Sequence, residues 1–313
     1  MRNTVEHTAS PRTAHAPRPL GILAMCAAVL CFSVSSTIVR KAGLPGPTLA
    51  FYRMAITTVF WWIILWFTEH RVLRWDELKR AIIPGAAFAI NITCFFTAVT
   101  RTSIANAEFI GALTPLIVVP AGALFFHERI SIRSLSFGLV SLVGLVLVLF
   151  NGPSNGESSW SGNLFVLAAM LLWATYLLTS RRLRATMSVQ AIMASMMTVA
   201  TVTVLPVAAS GGDLGGVHGR QWLYIFGLAV LTGTVAHGLI VFAQHSVPIG
   251  TIGIIQVAQP AIAVGWAFVL LGQDLRAIQV LGMALVIAGL LAVVISTRRD
   301  GAAIADVPGM EAG

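Results

Sequence analysis

The chain has 313 residues, of which 57 % are hydrophobic and only 10 % are charged. Soluble domains carry about 25 % charged residues, so the composition excludes an ordinary water-soluble enzyme and makes lipid the main solvent. A formal charge of +8 would suggest nucleic acid in a soluble protein, but here the basic residues fall between apolar runs and set membrane orientation instead.

In chain order, Met1 to Pro19 is polar, with Arg2, Arg12 and Arg18, and reads as a disordered tail over residues 1–19. The run after it, Leu20–Val39, exceeds a signal-peptide core and has no A-x-A-like site behind it, so it reads as a retained first helix. Nine further apolar runs follow at Pro47–Thr68, Ala81–Val99, Ile104–Phe126, Ser134–Phe150, Gly162–Thr179, Val189–Ala208, Trp222–Phe242, Ile249–Leu271 and Ile278–Ile295. Their length fits helices, whereas membrane strands would alternate over roughly 10 residues. Turn chemistry separates them at Gly43-Leu-Pro-Gly, Asn151-Gly-Pro-Ser-Asn-Gly and Gly211-Gly-Asp-Leu-Gly-Gly. The loops are too short for a separate soluble domain. Residues 297–313 are small, polar and partly acidic, and read as a second disordered tail.

The fold class is therefore an all-α membrane protein with ten transmembrane helices. A cytoplasmic N-terminus puts 14 Lys and Arg residues inside and 5 outside, with Arg53 left within a helix. That bias favours both termini in the cytoplasm. The chain also repeats itself. A shift of 141 lays Gly21, Ala27 and Ala28 on Gly162, Ala168 and Ala169, and Arg40-Lys41 on Arg181-Arg182. A shift of 145 lays Ala98 on Ala243, Pro115 on Pro260 and Gly144-Leu145 on Gly289-Leu290. Residues 20–150 and 161–296 thus form two five-helix units. Five is odd, so the second copy enters the membrane upside down, as in alternating-access carriers.

Ionisable groups inside a span are costly and are functional candidates. Arg53 lies roughly 9 Å into the second helix and Glu108 roughly 6 Å into the fourth, at 1.5 Å per residue. An Arg53–Glu108 ion pair is feasible if the helices adjoin; separate snorkelling to the interface is the plainer alternative. His237 and Gln256 have similar depth and suit a neutral imidazole–amide pair, with His237 also able to carry a proton. Arg53, Glu108 and His237 are the coupling or gating candidates. Pro115 and Pro260 each remove a helix hydrogen bond, freeing the carbonyls of Gly111 and Gln256. Helix breaks at equivalent places in two repeats point to a transport site. Asn91, Thr114, Gln256 and Gln259 supply polar groups beside them, and Trp173 with Tyr176 shares a face that suits an apolar or aromatic cargo. These six are the substrate-binding candidates. Helix–helix packing is the alternative for each. Ala284, Ala288 and Ala292 form a small-residue stripe for close packing within or between protomers, compatible with a homodimer.

Ala98-Val-Thr-Arg-Thr-Ser-Ile-Ala-Asn-Ala, then Thr114-Pro115, then Phe126-His-Glu128-Arg-Ile resembles the EamA-type family of the drug/metabolite transporter superfamily. The second copy reads Ala243-Gln-His-Ser-Val-Pro-Ile-Gly, Gln259-Pro260, then Gly272-Gln-Asp274-Leu, with Gln273 where the turn glutamate usually lies. The resemblance covers residues 20–296. It implies ten helices in two inverted repeats, and movement of small metabolites without ATP hydrolysis.

Enzyme signatures are missing. His127-Glu128 begins like a zincin motif but Ser131 stands where its second histidine belongs, and no P-loop or GxSxG elbow occurs. His127-Glu128-Arg129 suits a charged helix end. Cys26, Cys31 and Cys94 form no CxxC motif and read as small apolar packing residues. No pattern asks for a cofactor or a metal. The expected partners are a small-molecule substrate and the lipid bilayer, with no nucleic acid. The favoured function is a secondary active exporter of small metabolites, such as amino acids or related amphipathic compounds, in the cell membrane. A passive channel and an intramembrane enzyme are the alternatives.

Overall fold

A computed structural model describes residues 19–102, 104–128, 130–150, 159–211, 213–271 and 276–305. The expected N-terminal tail up to residue 18, Arg129, the glycine-rich loop 151–158 and the turn with Gln273 and Asp274 lie outside the described residues, as do residues 306–313. Among the described residues, nine helices are long and apolar enough to cross a bilayer. In chain order with one shorter apolar helix they are α1 (Pro19–Ala42), α2 (Gly46–Glu69), α3 (Ile82–Arg101), α4 (Ala107–Phe126), the shorter α5 (Ile132–Val148), α6 (Trp160–Leu183), α7 (Val189–Gly211), α8 (Gln221–Ala243), α9 (Ile249–Leu270) and α10 (Ala277–Ser296). Every regular element described is helical, which satisfies backbone polar groups where lipid cannot. Helical backbone continues beyond α10 to Ala305, past the end expected at Ile295.

The outside of the bundle is apolar: Phe67 and Leu124 are 71 % exposed and Leu223 is 70 % exposed. Such a surface suits acyl chains. The interior holds Arg53, Asn91, Glu108 and His237, all buried.

The two halves of the chain pack against each other, helix by helix. In α5 and α10, Ser134 meets Ser296 at 3.0 Å while Gln279 donates to the Val148 carbonyl at 3.2 Å, so these helices run antiparallel. Gly144 and Gly282 set their closeness: a Cβ on either would come within 2.7 or 2.6 Å of the other's carbonyl oxygen. Ala284 and Ala288 face outward, so the seam within the protomer uses these glycines and not the alanine stripe. In α2 and α7, Thr58 contacts Thr201 at 2.9 Å and Trp62 donates to Thr198 at 2.9 Å, again antiparallel. In α3 and α6, Asn91 donates to the Ala169 carbonyl at 2.6 Å and Thr102 to Asn163 at 2.9 Å. In α4 and α9, Val118 lies beside Gly253 and Gly122 beside Ile249. In α1 and α8, Phe32 packs on His237 with ring centroids 4.8 Å apart, and Gly21 lies against Val247. These pairs are antiparallel too.

Four of the helices are interrupted at mid-length. α1 divides into Pro19–Ser33 and Ser35–Ala42 at Val34, where Ser33 Oγ donates to the Leu30 carbonyl at 2.7 Å. α4 divides into Ile104–Ala112 and Pro115–Phe126. α9 divides into Ile249–Gln256 and Ala258–Leu271. In α8 the middle is a π-helix, Ala229–Ala236. Such π segments are uncommon and frequent at functional sites.

Candidate functional site

The proline in α4 does more than kink a helix. Pro115 has no N–H to give to the Gly111 carbonyl, and the chain divides just before it. The backbone N–H of Thr114 donates to that carbonyl at 3.1 Å and the Thr114 hydroxyl at 2.6 Å. The Gly111 carbonyl, expected to be free, is therefore satisfied by the residue beside the proline. Pro260 sits in the first turn of the second α9 segment, where a missing N–H is tolerated.

The interruptions surround a cavity of about 120 Å³, room for roughly ten water-sized groups. Its wall draws on α1, α2, α3 and α4 of the first half and α6, α8 and α9 of the second. Ten of the eleven candidate residues line it: Arg53, Asn91, Glu108, Thr114, Pro115, Trp173, His237, Gln256, Gln259 and Pro260. Tyr176 does not. It is fully buried beside the lining, its ring centroid 4.9 Å from Trp173, and its hydroxyl has no hydrogen-bond partner.

The polar groups are not paired as the sequence suggested. No ion pair joins Arg53 to Glu108 among the described residues. Arg53 instead turns toward the π-helix of α8, where its Nε donates to Thr232 Oγ1 at 3.1 Å. Its guanidinium carbon lies 5.8 Å from the Phe88 centroid and 5.7 Å from that of Phe96, both within cation–π range. Glu108 accepts a hydrogen bond from Ser36 Oγ, just past the break in α1. The partner of Gln256 is Trp173, whose Nε1 donates at 3.3 Å, and not His237. His237 sits among the rings of Phe32, Phe88, Trp173 and Tyr176, at centroid distances of 4.8, 4.6, 5.6 and 5.8 Å. Neither of its nitrogens has a partner. Asn91 is partly spent as glue, through its bond to α6.

Sequence reasoning missed Ser36, Thr232 and the phenylalanines 32, 88 and 96. Hydroxyls and rings are abundant in membrane helices, so nothing in their spacing singles these out. Thr232 meets Arg53 from within the π-helix.

A second polar cluster lies at the far end of α4. His127 adopts a left-handed conformation (φ 55°) and the Glu128 N–H returns to the Gly122 carbonyl at 3.2 Å, closing the helix. The Glu128 carboxylate then accepts from Arg181 at 3.0 Å and from the Ile249 N–H, the first of α9, at 2.6 Å. Burial raises the Glu128 carboxyl above its ordinary value, against the opposing pull of Arg181 and the α9 amides. Among the described residues, no three His, Cys, Asp or Glu side chains converge as a metal site would.

Two halves of similar build, packed helix against helix around a cavity that both of them line, are matched by a family model. The EamA-like transporter family matches residues 19–150 and again 160–295. The chain belongs to that family. The threonine/homoserine exporter RhtA of Salmonella typhimurium is 23 % identical over 272 residues, covering 86 % of this chain and 88 % of its own. An uncharacterized transporter of Archaeoglobus fulgidus is 24 % identical over 272 residues, 87 % of this chain and 95 % of its own. The pseudopaline exporter CntI of Pseudomonas aeruginosa is 26 % identical over 131 residues, 41 % of this chain, which spans 46 % of the exporter's length. A solved crystal structure superposes with a TM-score of 0.76 at 18 % identity, covering 89 % of this chain and 98 % of that one, which supports the fold. This EamA protein is a multi-pass membrane transporter, and its named relatives are exporters and not enzymes.

Proposed function

We propose that this EamA transporter is a secondary active exporter of small metabolites, amino acids or related amphipathic compounds, working by alternating access in the cell membrane. In this reading α5 is a tenth span, and residues 20–150 and 161–296 are two inverted repeats with both termini in the cytoplasm. The pairing of helices supports it. Equivalent helices α2 and α7, α4 and α9, and α5 and α10 touch and run antiparallel. The same exchange turns the α1–α8 contact into the α6–α3 contact. A two-fold axis across the helices, lying in the membrane plane, produces that pattern; an axis along the membrane normal would leave equivalent helices parallel. The excess of Lys and Arg on one set of loops supports the orientation.

The observation that carries the reading is the cavity itself, lined by both halves at the interruptions of α1, α4, α8 and α9. Rocking of the halves about it would open it to either side in turn. Asn91, Thr114, Trp173, Gln256 and Gln259 contribute the polar and aromatic wall for cargo, Tyr176 supports Trp173, and Glu108 is the coupling group. The relative RhtA, a threonine/homoserine exporter by name, is consistent with amino acid cargo.

Counterflow in proteoliposomes is the test. Labelled threonine or leucine should enter faster when the same unlabelled compound fills the lumen. Carriers show this acceleration because loaded return outpaces empty return. Entry indifferent to the luminal compound would replace the carrier with a passive channel.

A further inference from the structure

The cavity is stopped at one end. Its lining takes α4 from Glu108 to Pro115 and α9 from Gly253 to Pro260. Beyond Pro115, and on the N-terminal side of Gly253, these two helices close on each other. A Cβ on Gly253 would come within 2.6 Å of Val118, and one on Gly250 would meet Ile130 and lie 3.2 Å from Val119. Val118 is fully buried. Contacts this close leave no room for water between the helices.

Past this apolar plug lies the Glu128 cluster. The carboxylate folds back over Gly122 and binds the second half of the chain through Arg181 and the N–H groups of Ile249 and Gly250. Arg182 adds a cation–π contact, 5.5 Å from the Phe125 centroid. Among the described residues, Arg181–Glu128 is the ion pair that joins the two halves, the others lying between Arg71 and its neighbours Glu69 and Glu77. The side chains of Arg181 and Glu128 keep 19 % and 9 % of their surface exposed. A pair that water reaches can trade its partners for water, whereas a pair sealed in the interior cannot. The opposite end of the bundle is tied by neutral acceptors instead: Gln221 donates to the Ala42 carbonyl at 3.2 Å, Lys41 to the Leu270 carbonyl at 3.1 Å and Arg40 to the Thr102 carbonyl at 3.0 Å.

We propose that Glu128, Arg181 and the start of α9 form a latch that holds this end of the carrier shut, and that the cavity opens toward this end only when Glu128 gives up Arg181 and the α9 amides. The plug parts in the same movement, because Val118 and Gly253 ride on the helices that the latch joins. In the orientation proposed above this is the cytoplasmic end. The assignment rests on the carrier reading and goes beyond it by naming the contact that decides which end is open.

The test measures distances between spin labels on the full chain in proteoliposomes, with Cys26, Cys31 and Cys94 replaced by alanine. One pair, Leu124→Cys with Thr186→Cys, reports across the latch. The other, Thr100→Cys with Leu223→Cys, reports across the opposite end; all four positions are exposed. Glu128→Ala should raise the population of a longer distance at the first pair about tenfold, and shift the second pair to shorter distances as the halves rock. Glu128→Gln still accepts from the α9 amides but loses the charge opposite Arg181, so its shift should be smaller; Arg181→Gln should match it. If Glu128→Ala fails to fold, these two milder variants decide. Unchanged distances overturn the latch. A longer distance at the first pair with the second unmoved overturns it too, since that is fraying of the α4 end and not rocking. No cargo is needed, so the two readings fail separately: normal counterflow with unmoved distances removes the latch alone, whereas absence of counterflow removes the carrier and the latch with it.

Discussion

Glu108, within α4, and Glu128, just past its end, share a chemistry, yet their surroundings differ completely. Glu128, at the helix end, is held by Arg181 and by the first amide of α9, so it ties α4, α6 and α9 together. Glu108, in the interior, has one hydroxyl and an open cavity. A satisfied acid at an end stabilises the structure, because its removal strands a partly buried arginine. An acid with spare capacity facing a cavity contributes little to the fold and is free to exchange partners. Burial alone does not mark function; burial with unfilled hydrogen-bonding capacity is what calls for an explanation.

The sharpest way to break this contrast is Glu108→Gln. The amide still accepts from Ser36, so stability should change by less than about 1 kcal/mol, while transport driven by a pH gradient should disappear. Normal gradient-driven uptake in proteoliposomes would remove the coupling role. Glu128→Ala should behave in the opposite way. Losing the contacts to Arg181 and α9 should cost about 2 kcal/mol, the buried-pair figure reduced because Arg181 keeps some solvent. Thermal unfolding in micelles measures it, and a melting temperature equal to the wild type would show that the cluster is decorative.

The smallest effect belongs to a third acid, Glu77, on the short helix Trp75–Arg80. Arg71 reaches it with two bonds of 2.8 Å, and the Arg74 N–H with one of 3.1 Å. Burial pushes its carboxyl upward, but those bonds outweigh burial and hold it below the ordinary value. A depressed folded value means that its contribution is present above the unfolded pKa of about 4.3 and fades as the pH falls through the folded one. Glu77→Gln should therefore cost less than about 1 kcal/mol near neutrality and lose less on acidification than the wild type. An unchanged acid limb in a pH series of melts would contradict this.

Much of the fold was legible because lipid leaves a chain few options. Apolar runs of bilayer length must be helices, and the starts of α2, α3 and α9 fall within a residue of their expected positions. Repeat-related prolines were legible too, since proline has a local, unavoidable consequence for the backbone. Partners were not. The expected links of Arg53 to Glu108 and of His237 to Gln256 assumed that similar depth brings groups together. Depth fixes one coordinate of three, and rotation about each helix axis fixes the rest. The π-helix of α8 aims Thr232 at Arg53, and the break in α1 puts Ser36 against Glu108.

Composition and periodicity by themselves determined a helical membrane protein in two related halves, because hydrophobic length and backbone satisfaction are local requirements. The tertiary structure decided which polar side chains share a cavity and which of them remain unpaired. That choice depends on contacts between helices far apart in the chain, where rotating a helix about its axis by a single residue exchanges a packed side chain for one that lines the cavity.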